Sequence, residues 1–303
     1  MTPIKVKNIA DAHRLMGLPS PAHPLISVVR YDQITNPDSE AGALGVMFDF
    51  YFISLKKGFC NKLHYGQQTY DFDEGLLYFM APNQLLKGGG PGGQDDLSGW
   101  ILMIHPDLLW GSALGKNIDK YDYFGYAVNE ALFLSDKEEI TVNGIIQNIQ
   151  TEYESNIDRF SQHIIVSHLE TLLNYAERFY GRQFLTRKKS SHQVLDRLES
   201  LLKNYLSGDQ LMSEGLPTVQ YISGALNISP SYLRGLLKTL TGLSTQQYIH
   251  EKLIEKAKER LSSTDLSISE IAYQLGFEHP QSFSKLFKSK TSQSPQEFRS
   301  GFN

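Results

Sequence analysis

The spacing of hydrophobic positions changes along the chain. Up to about residue 110, apolar residues come in short runs: LISVVRY (25–31), GVMFDFYFIS (45–54), GLLYFMA (75–81) and GWILMIH (99–105). These runs are rich in aromatic and β-branched residues, as strands are. Turn-forming clusters separate them: NPDSEAG at 36–42, DFDEG at 71–75 and the glycine-rich KGGGPGGQDD at 87–96. Many short strands at such spacing predict a small barrel or sandwich. From about residue 138 the breakers disappear. In HIIVSHLETLLNYAERFY, residues Ile164, Ile165, His168, Leu169, Leu172, Leu173 and Ala176 recur three and four apart, which predicts a helix with one apolar stripe. Gly181 is its expected stop. The polar stretch TRKKSSHQ (186–193) reads as a linker, and everything after about 194 reads as helical. The pattern predicts an α+β multidomain chain. A first domain over 1–185 is β-rich to about 110 and helical from about 138, and an all-α domain occupies 194–303.

The helical domain contains an internal repeat, a feature that dictates architecture. Thr218-Val219-Gln220-Tyr221-Ile222-Ser223 recurs 49 positions later as Ser267-Ile268-Ser269-Glu270-Ile271-Ala272. Each copy is followed by a second apolar stripe, Leu233, Leu236 and Leu237 or Phe283, Leu286 and Phe287, with Glu278 as a one-residue insertion. Each copy reads as helix, tight turn, helix, over 218–241 and 267–290. Ser267 with Glu270 forms a capping box. Gly276, and Asn227 in the first copy, suit a left-handed turn residue. Pro230 and Pro280 suit the first turn of the second helix. The other faces of the second helices carry Ser231, Tyr232, Arg234 and Lys238, or Gln281, Ser282, Ser284, Lys285 and Lys288. That mixture of hydrogen-bonding and cationic groups suits base edges and phosphates. The segment from Ser244 to about Leu261 would form a connecting helix about 27 Å long. Successive major-groove faces of B-DNA lie about 34 Å apart.

Charge bears on this reading. The net charge is −4, but residues 190–303 carry 12 Lys+Arg against 11 Asp+Glu, leaving 17 against 22 for the rest. What decides phosphate binding is which face the cations occupy. The single cysteine, Cys60, excludes an internal disulfide framework and a cysteine zinc cluster, and fits a reducing cytoplasm. The N-terminus has no apolar run of signal-peptide length, and no segment has the roughly 20 apolar residues of a membrane span. A cytoplasmic chain without a membrane segment is expected.

At this point a resemblance is specific. Residues 195–300 resemble the AraC/XylS family DNA-binding domain. SISEIAYQLGFEHPQSFSKLFKSKTSQSPQEFR (267–299) carries the I-A-x-x-x-G-F segment, the S-F-S-K-x-F-K helix and the S-P-x-x-[FY]-R end, and ISPSYLRGLLKTLTGLSTQQYI (228–249) matches as well. Gly235 stands where a cationic residue is common, and Ser292 where a glycine often precedes the S-P turn. The resemblance implies that both second helices read double-stranded DNA in successive major grooves. Contacts would fall to Ser231, Tyr232, Arg234 and Lys238, and to Gln281, Ser282, Ser284, Lys285 and Lys288. The N-terminal part is similar to the cupin-like β-barrel domains joined to this module. This implies effector sensing, a homodimer through residues 160–180, and contact with RNA polymerase.

Other chemistry is thinly represented. The candidate metal-binding strand region 59–75 offers only His64, His105 lies far along the chain, and His163 and His168 are five apart, off a shared helical face. Asp71, Asp73 and Glu74 read as a charged turn, and 87–94 lacks the Lys-Ser/Thr ending of a phosphate loop. No catalytic residues, metal or cofactor are expected. A metal-dependent cupin-type enzyme with a helical interaction module is the alternative from another class, and a DNA-binding regulator with no effector is the other. Tyr51, Trp100 and Met103 are the candidate lining of a small-molecule pocket.

Overall fold

The computed structural model describes residues 3–35, 45–57, 64–65, 68–69, 75–86, 98–127, 130–155, 158–186, 188–208 and 210–301. Cys60, Asp71, Asp73, Glu74 and the glycine-rich stretch 87–96 lie outside them, and of His64 only the backbone is described. The chain divides into two units, Met1–Gln183 and Phe184–Asn303.

In the first unit the strands are β1 (Ile4–Val6), β2 (Ile26–Arg30), β3 (Val46–Phe48), β4 (Tyr51–Lys57), β5 (His64–Tyr65), β6 (Gln68–Thr69), β7 (Gly75–Met80), β8 (Leu85–Leu86), β9 (Ser98–Ile104) and β10 (Leu132–Leu134). Helix α1 (Ile9–Leu15) follows β1, and α2 (Ala113–Asn117) follows β9. Two long helices come last, α3 (Asp136–Glu154) and α4 (Ser161–Thr186). A five-stranded antiparallel sheet runs β10-β7-β4-β9-β2, a three-stranded sheet β1-β3-β8, and β5-β6 is a hairpin. The run 45–54 is split between β3 and β4, which join different sheets.

Alternation along each strand gives the large sheet two apolar faces. One bears Val29, Phe52, Tyr78, Met80, Ile101 and Met103, which share a core with Val6, Ile9, Val46 and Phe48 from the small sheet and α1. The other face lies under α3, α4 and the turns after β9. Trp100 Nε1 donates to Asn143 Oδ1 at 2.8 Å, Lys57 pairs with Glu139 at 2.5 Å, and the Tyr123 and Tyr180 rings stack 5.4 Å apart beside Phe79.

The expected closed barrel is not what forms. Among the described residues both sheets are open, and β2 and β10 end the larger one. Closure requires a strand partner at every edge, and here side chains take that place. The Val28 N–H donates to Tyr153 Oη at 2.9 Å. At β10, the Gln183 amide accepts from Phe133 N–H (2.8 Å) and donates to Ala131 C=O (3.2 Å), while Arg182 donates to Phe133 C=O (2.8 Å). These contacts also explain why α4 runs past Gly181, the expected stop, to Thr186. Arg182 is further held by Glu138 at 2.6 Å. Bonds worth about 1 kcal/mol each outweigh one helical glycine, which costs about as much.

The second unit is helical: α5 (Lys188–Ser207), α6 (Gln210–Glu214), α7 (Val219–Leu226), α8 (Pro230–Thr241), α9 (Thr245–Ser263), α10 (Ile268–Gln274), α11 (Pro280–Thr291) and α12 (Pro295–Ser300). The stretch 186–193, expected as a linker, is thus helical from Lys188 on, and Ser191 is buried. None of the helices among the described residues is long and apolar enough to cross a membrane.

Candidate nucleic-acid interface

The two halves of the repeat fold as matching helix pairs, α7–α8 and α10–α11. Each begins at a hydroxyl cap. Thr218 accepts from Tyr221 N–H, and Ser267 accepts from Glu270 N–H while its own N–H donates to Glu270 at 2.7 Å. Hydrogen bonds from Ser267 hold the Glu270 carboxyl below the usual carboxylate range. That cap is therefore complete at neutral pH and lost on acidification.

The turns depend on left-handed residues, Asn227 (φ 59°) and Gly276 (φ 77°). A Cβ on Gly276 would lie 2.6 Å from Leu211 C=O and 3.1 Å from Gly215 Cα. The helices that follow also end in left-handed residues fifty positions apart, Gly242 (φ 75°) and Ser292 (φ 63°). A pair of opposite effects on thermal unfolding is expected. Gly276→Ala should destabilise by about 2–3 kcal/mol, and Ser292→Gly should stabilise by about 1 kcal/mol. A stabilised Gly276→Ala protein would contradict this turn geometry.

The second helices are oriented by their apolar stripes. Leu233, Leu236 and Leu237 are fully buried, as are Phe283 and Phe287, with Leu233 and Leu237 in one core cluster and the two phenylalanines in another. At 100° per residue, the direction opposite the buried stripe holds Ser231, Gly235 and Lys238 in α8, and Gln281, Lys285 and Lys288 in α11. Arg234, Lys238, Gln281, Ser282, Lys285 and Lys288 are exposed, and Ser231, Tyr232 and Ser284 are half-buried. Three acidic side chains of α9 are engaged by lysines: Glu251 by Lys290, Glu255 by Lys252 and Glu259 by Lys256. The Lys290–Glu251 pair at 3.0 Å also fixes α11 against α9. Helix α9 spans 19 residues, about 28 Å of rise.

Tyr232 departs from its neighbours. Its ring meets Phe184 edge-on, with centroids 5.1 Å apart and planes at 70°, and Phe184 is buried. No sequence signal pointed to Phe184, which lies outside the repeat.

The three candidate pocket residues do not converge. Tyr51 pairs with Ile104 and Leu55 with Trp100, whereas Met103 pairs with Phe52, so Trp100 and Met103 point to opposite faces of the sheet. Tyr51 packs on Phe124, Trp100 reaches Asn143, and Met103 is buried in the inter-sheet core. A polar group missed in the sequence lies on the Met103 face. Tyr31 Oη is 2.5 Å from Ser54 Oγ and 3.4 Å from Tyr78 Oη, and the Lys56 ammonium lies 5.2 and 5.7 Å from the two rings. Burial pushes the Tyr31 hydroxyl pKa well up. The histidines do not converge on a metal site. His13, buried, lies 2.8 Å from Ser27 Oγ, and His105 abuts Asp107. Among the described residues no group of three or more His, Cys, Asp or Glu side chains is placed to share a metal ion.

In helix α4 the buried stripe is Ile165, Val166, Leu169, Leu172, Leu173, Ala176, Phe179 and Tyr180. Ile164, expected within it, is 40% exposed, and His163, Ser167, Thr171, Asn174 and Arg178 make the outer face polar.

Residues 222–301 match the helix-turn-helix domain family. The chain is 33% identical over 111 residues to the raffinose operon transcriptional regulatory protein RafR of Pediococcus pentosaceus, covering 37% of each chain. It is 38% identical over 80 residues to the transcriptional activator RhaS of an Enterobacter species, covering 26% of this chain and 29% of that one. With the arabinose operon regulatory protein of Escherichia coli it shares 29% over 129 residues, covering 43% of both. The chain thus spans less than half the length of these curated relatives. Among solved structures, the C-terminal domain of the response regulator yesN from Fusobacterium nucleatum is 32% identical, with a TM-score of 0.29, covering 33% of this chain and 96% of that one.

Proposed function

We propose that the chain, whose residues 222–301 match the helix-turn-helix domain family, is a cytoplasmic transcription regulator of the AraC/XylS type that reads double-stranded DNA through α8 and α11. One observation carries this reading. Two helix pairs with the same order of hydroxyl cap, left-handed turn and proline bury their apolar stripes and turn polar and cationic side chains outward, with Lys238 and Lys288 at matching positions. A helix presenting such a face fits the major groove, where lysine and arginine donate to guanine O6 and N7 and glutamine pairs with adenine. Arg234, Lys238, Gln281, Ser282, Lys285 and Lys288 are the proposed contacts, joined by the half-buried Ser231 and Ser284. The second copy of the repeat supplies the richer face, because Gly235 stands where Lys285 stands in α11.

The reading includes a homodimer through residues 160–180. The apolar stripe of α4 is consumed within its own unit, so Phe160 and Ile164, both exposed, are the apolar groups offered to a partner. It also includes a small-molecule effector, which the Tyr31, Ser54, Tyr78 and Lys56 group would hold, and contact with RNA polymerase. The decisive experiment is titration of the full chain against random-sequence duplex DNA at two salt concentrations. Binding that weakens with salt is expected, because neutralising phosphates releases counterions. Absence of binding at low salt by folded protein would leave the repeat as a helical interaction module.

A further inference from the structure

We infer that Tyr232 is a positioning residue, whose ring braces the first turn of α8 against Phe184, rather than a reader of bases. The inference rests on the DNA-reading role proposed for α8.

The repeat supplies the comparison. Fifty positions on, the place of Tyr232 is held by Ser282, a small side chain exposed to solvent. In the first copy the same place carries a large ring, half-buried, edge-on to Phe184 at 5.1 Å. A ring edge directed at a ring face is the favoured aromatic geometry. Phe184 is among the most completely buried large side chains of the chain. It is the first residue of the second unit and belongs to helix Ser161–Thr186, which carries the chain into that unit.

The first turn of α8 is thereby held twice. Its backbone is fixed where Tyr232 N–H donates to Ser229 Oγ at 3.1 Å, and its side is fixed by the ring contact. This is the turn that must be placed accurately, since the N-terminal residues of a reading helix meet the base edges. Gly235, one turn later, adds no side chain to stiffen the helix. In α11 the corresponding cap, His279, makes no side-chain cap bond, and α11 is held instead by Lys290 on Glu251. The two reading helices are therefore oriented by different means. The first depends on a residue at the entry to the domain, the second on one in the connecting helix α9.

The test uses the full chain and a duplex enriched from a random library by the wild-type protein. Phe184→Ala and Tyr232→Ala are each expected to weaken binding by roughly 3–10-fold, the range an aromatic pair supports. The double variant should be no weaker than the weaker single, and Tyr232→Phe should stay within about twofold of wild type, since it keeps the ring. Footprinting should show protection lost at the groove read by α8 and kept at the groove read by α11, a pattern general destabilisation does not give. Phe184→Leu keeps an apolar side chain while removing the ring, and replaces Phe184→Ala if that variant does not fold. Tyr232 is a base reader, and the inference wrong, if the Phe184 variants bind like wild type while Tyr232→Ala changes the preferred base at one position. If the wild-type protein enriches no duplex, the DNA-reading role itself fails. Hydrogen exchange over residues 230–241 then judges the brace alone. Faster exchange in the Phe184 variants sustains it, and unchanged exchange overturns it.

Discussion

Replacing Arg234, Lys285 and Lys288 together by alanine in the full chain is expected to reduce affinity for the enriched duplex by at least about 100-fold. Loss of a base-reading contact costs about 1–3 kcal/mol, and three at the lower limit already reach that factor. All three side chains are exposed on the second helices, away from the leucine and phenylalanine stripes, so the fold should survive their loss. An unchanged unfolding midpoint would separate lost binding from lost structure. Taken singly, Lys288→Ala should weaken binding to every sequence and lower the salt slope by about 0.9 if it contacts phosphate. Lys285→Ala should instead relax the preference at one base pair. Wild-type affinity in the triple variant would remove α8 and α11 from the interface altogether.

The second large effect is on folding. Phe287→Ala should destabilise the second unit by about 3–5 kcal/mol, the usual cost of emptying a buried aromatic site. Phe287 is fully buried in the cluster that joins α9, α10, α11 and the end of the chain, with ring partners Phe283 at 5.8 Å and Phe298 at 5.5 Å. The first unit has its own core between its two sheets. Hydrogen exchange should therefore rise across residues 184–303 and stay near wild type in the large sheet. Equal loss of protection in both units would show that their cores unfold together.

How far the sequence determined these features differs between the two units. The second unit is governed by local rules, and those are readable. Caps at Thr218 and Ser267, left-handed positions at Asn227 and Gly276, and proline at the start of α8 and α11 all act within a few residues of themselves. Their agreement with the apolar stripes made the repeat visible. The first unit is governed by pairing between distant segments. The apolar runs gave the positions of β2, β4, β7 and β9, but alternation within a run does not say which strand lies beside which. Nor does it show that a sheet edge will be closed by a glutamine about fifty residues away. Trp100 and Met103 illustrate the limit. Both lie on β9 and both are apolar, yet their odd separation sends them to opposite faces. Gly181 is no stop for a related reason, since contacts of Arg182 and Gln183 with β10 carry α4 on to Thr186. Phe184 could be found only in three dimensions.

The side chains that finish the large sheet have a consequence for how the protein behaves in concentrated solution. An uncovered strand edge is a template on which a second molecule can add its own strand, and growth can continue from there. Here Tyr153 occupies the outward N–H of Val28 on one edge, and Gln183 with Arg182 occupies the groups of Ala131 and Phe133 on the other. Among the described residues, a hydroxyl, an amide and a guanidinium thus occupy edge groups that a second molecule's strand would need. Replacing Gln183 by glutamate would place an acceptor against the Ala131 carbonyl and open that edge, so Gln183→Glu protein should aggregate more readily at high concentration than wild type.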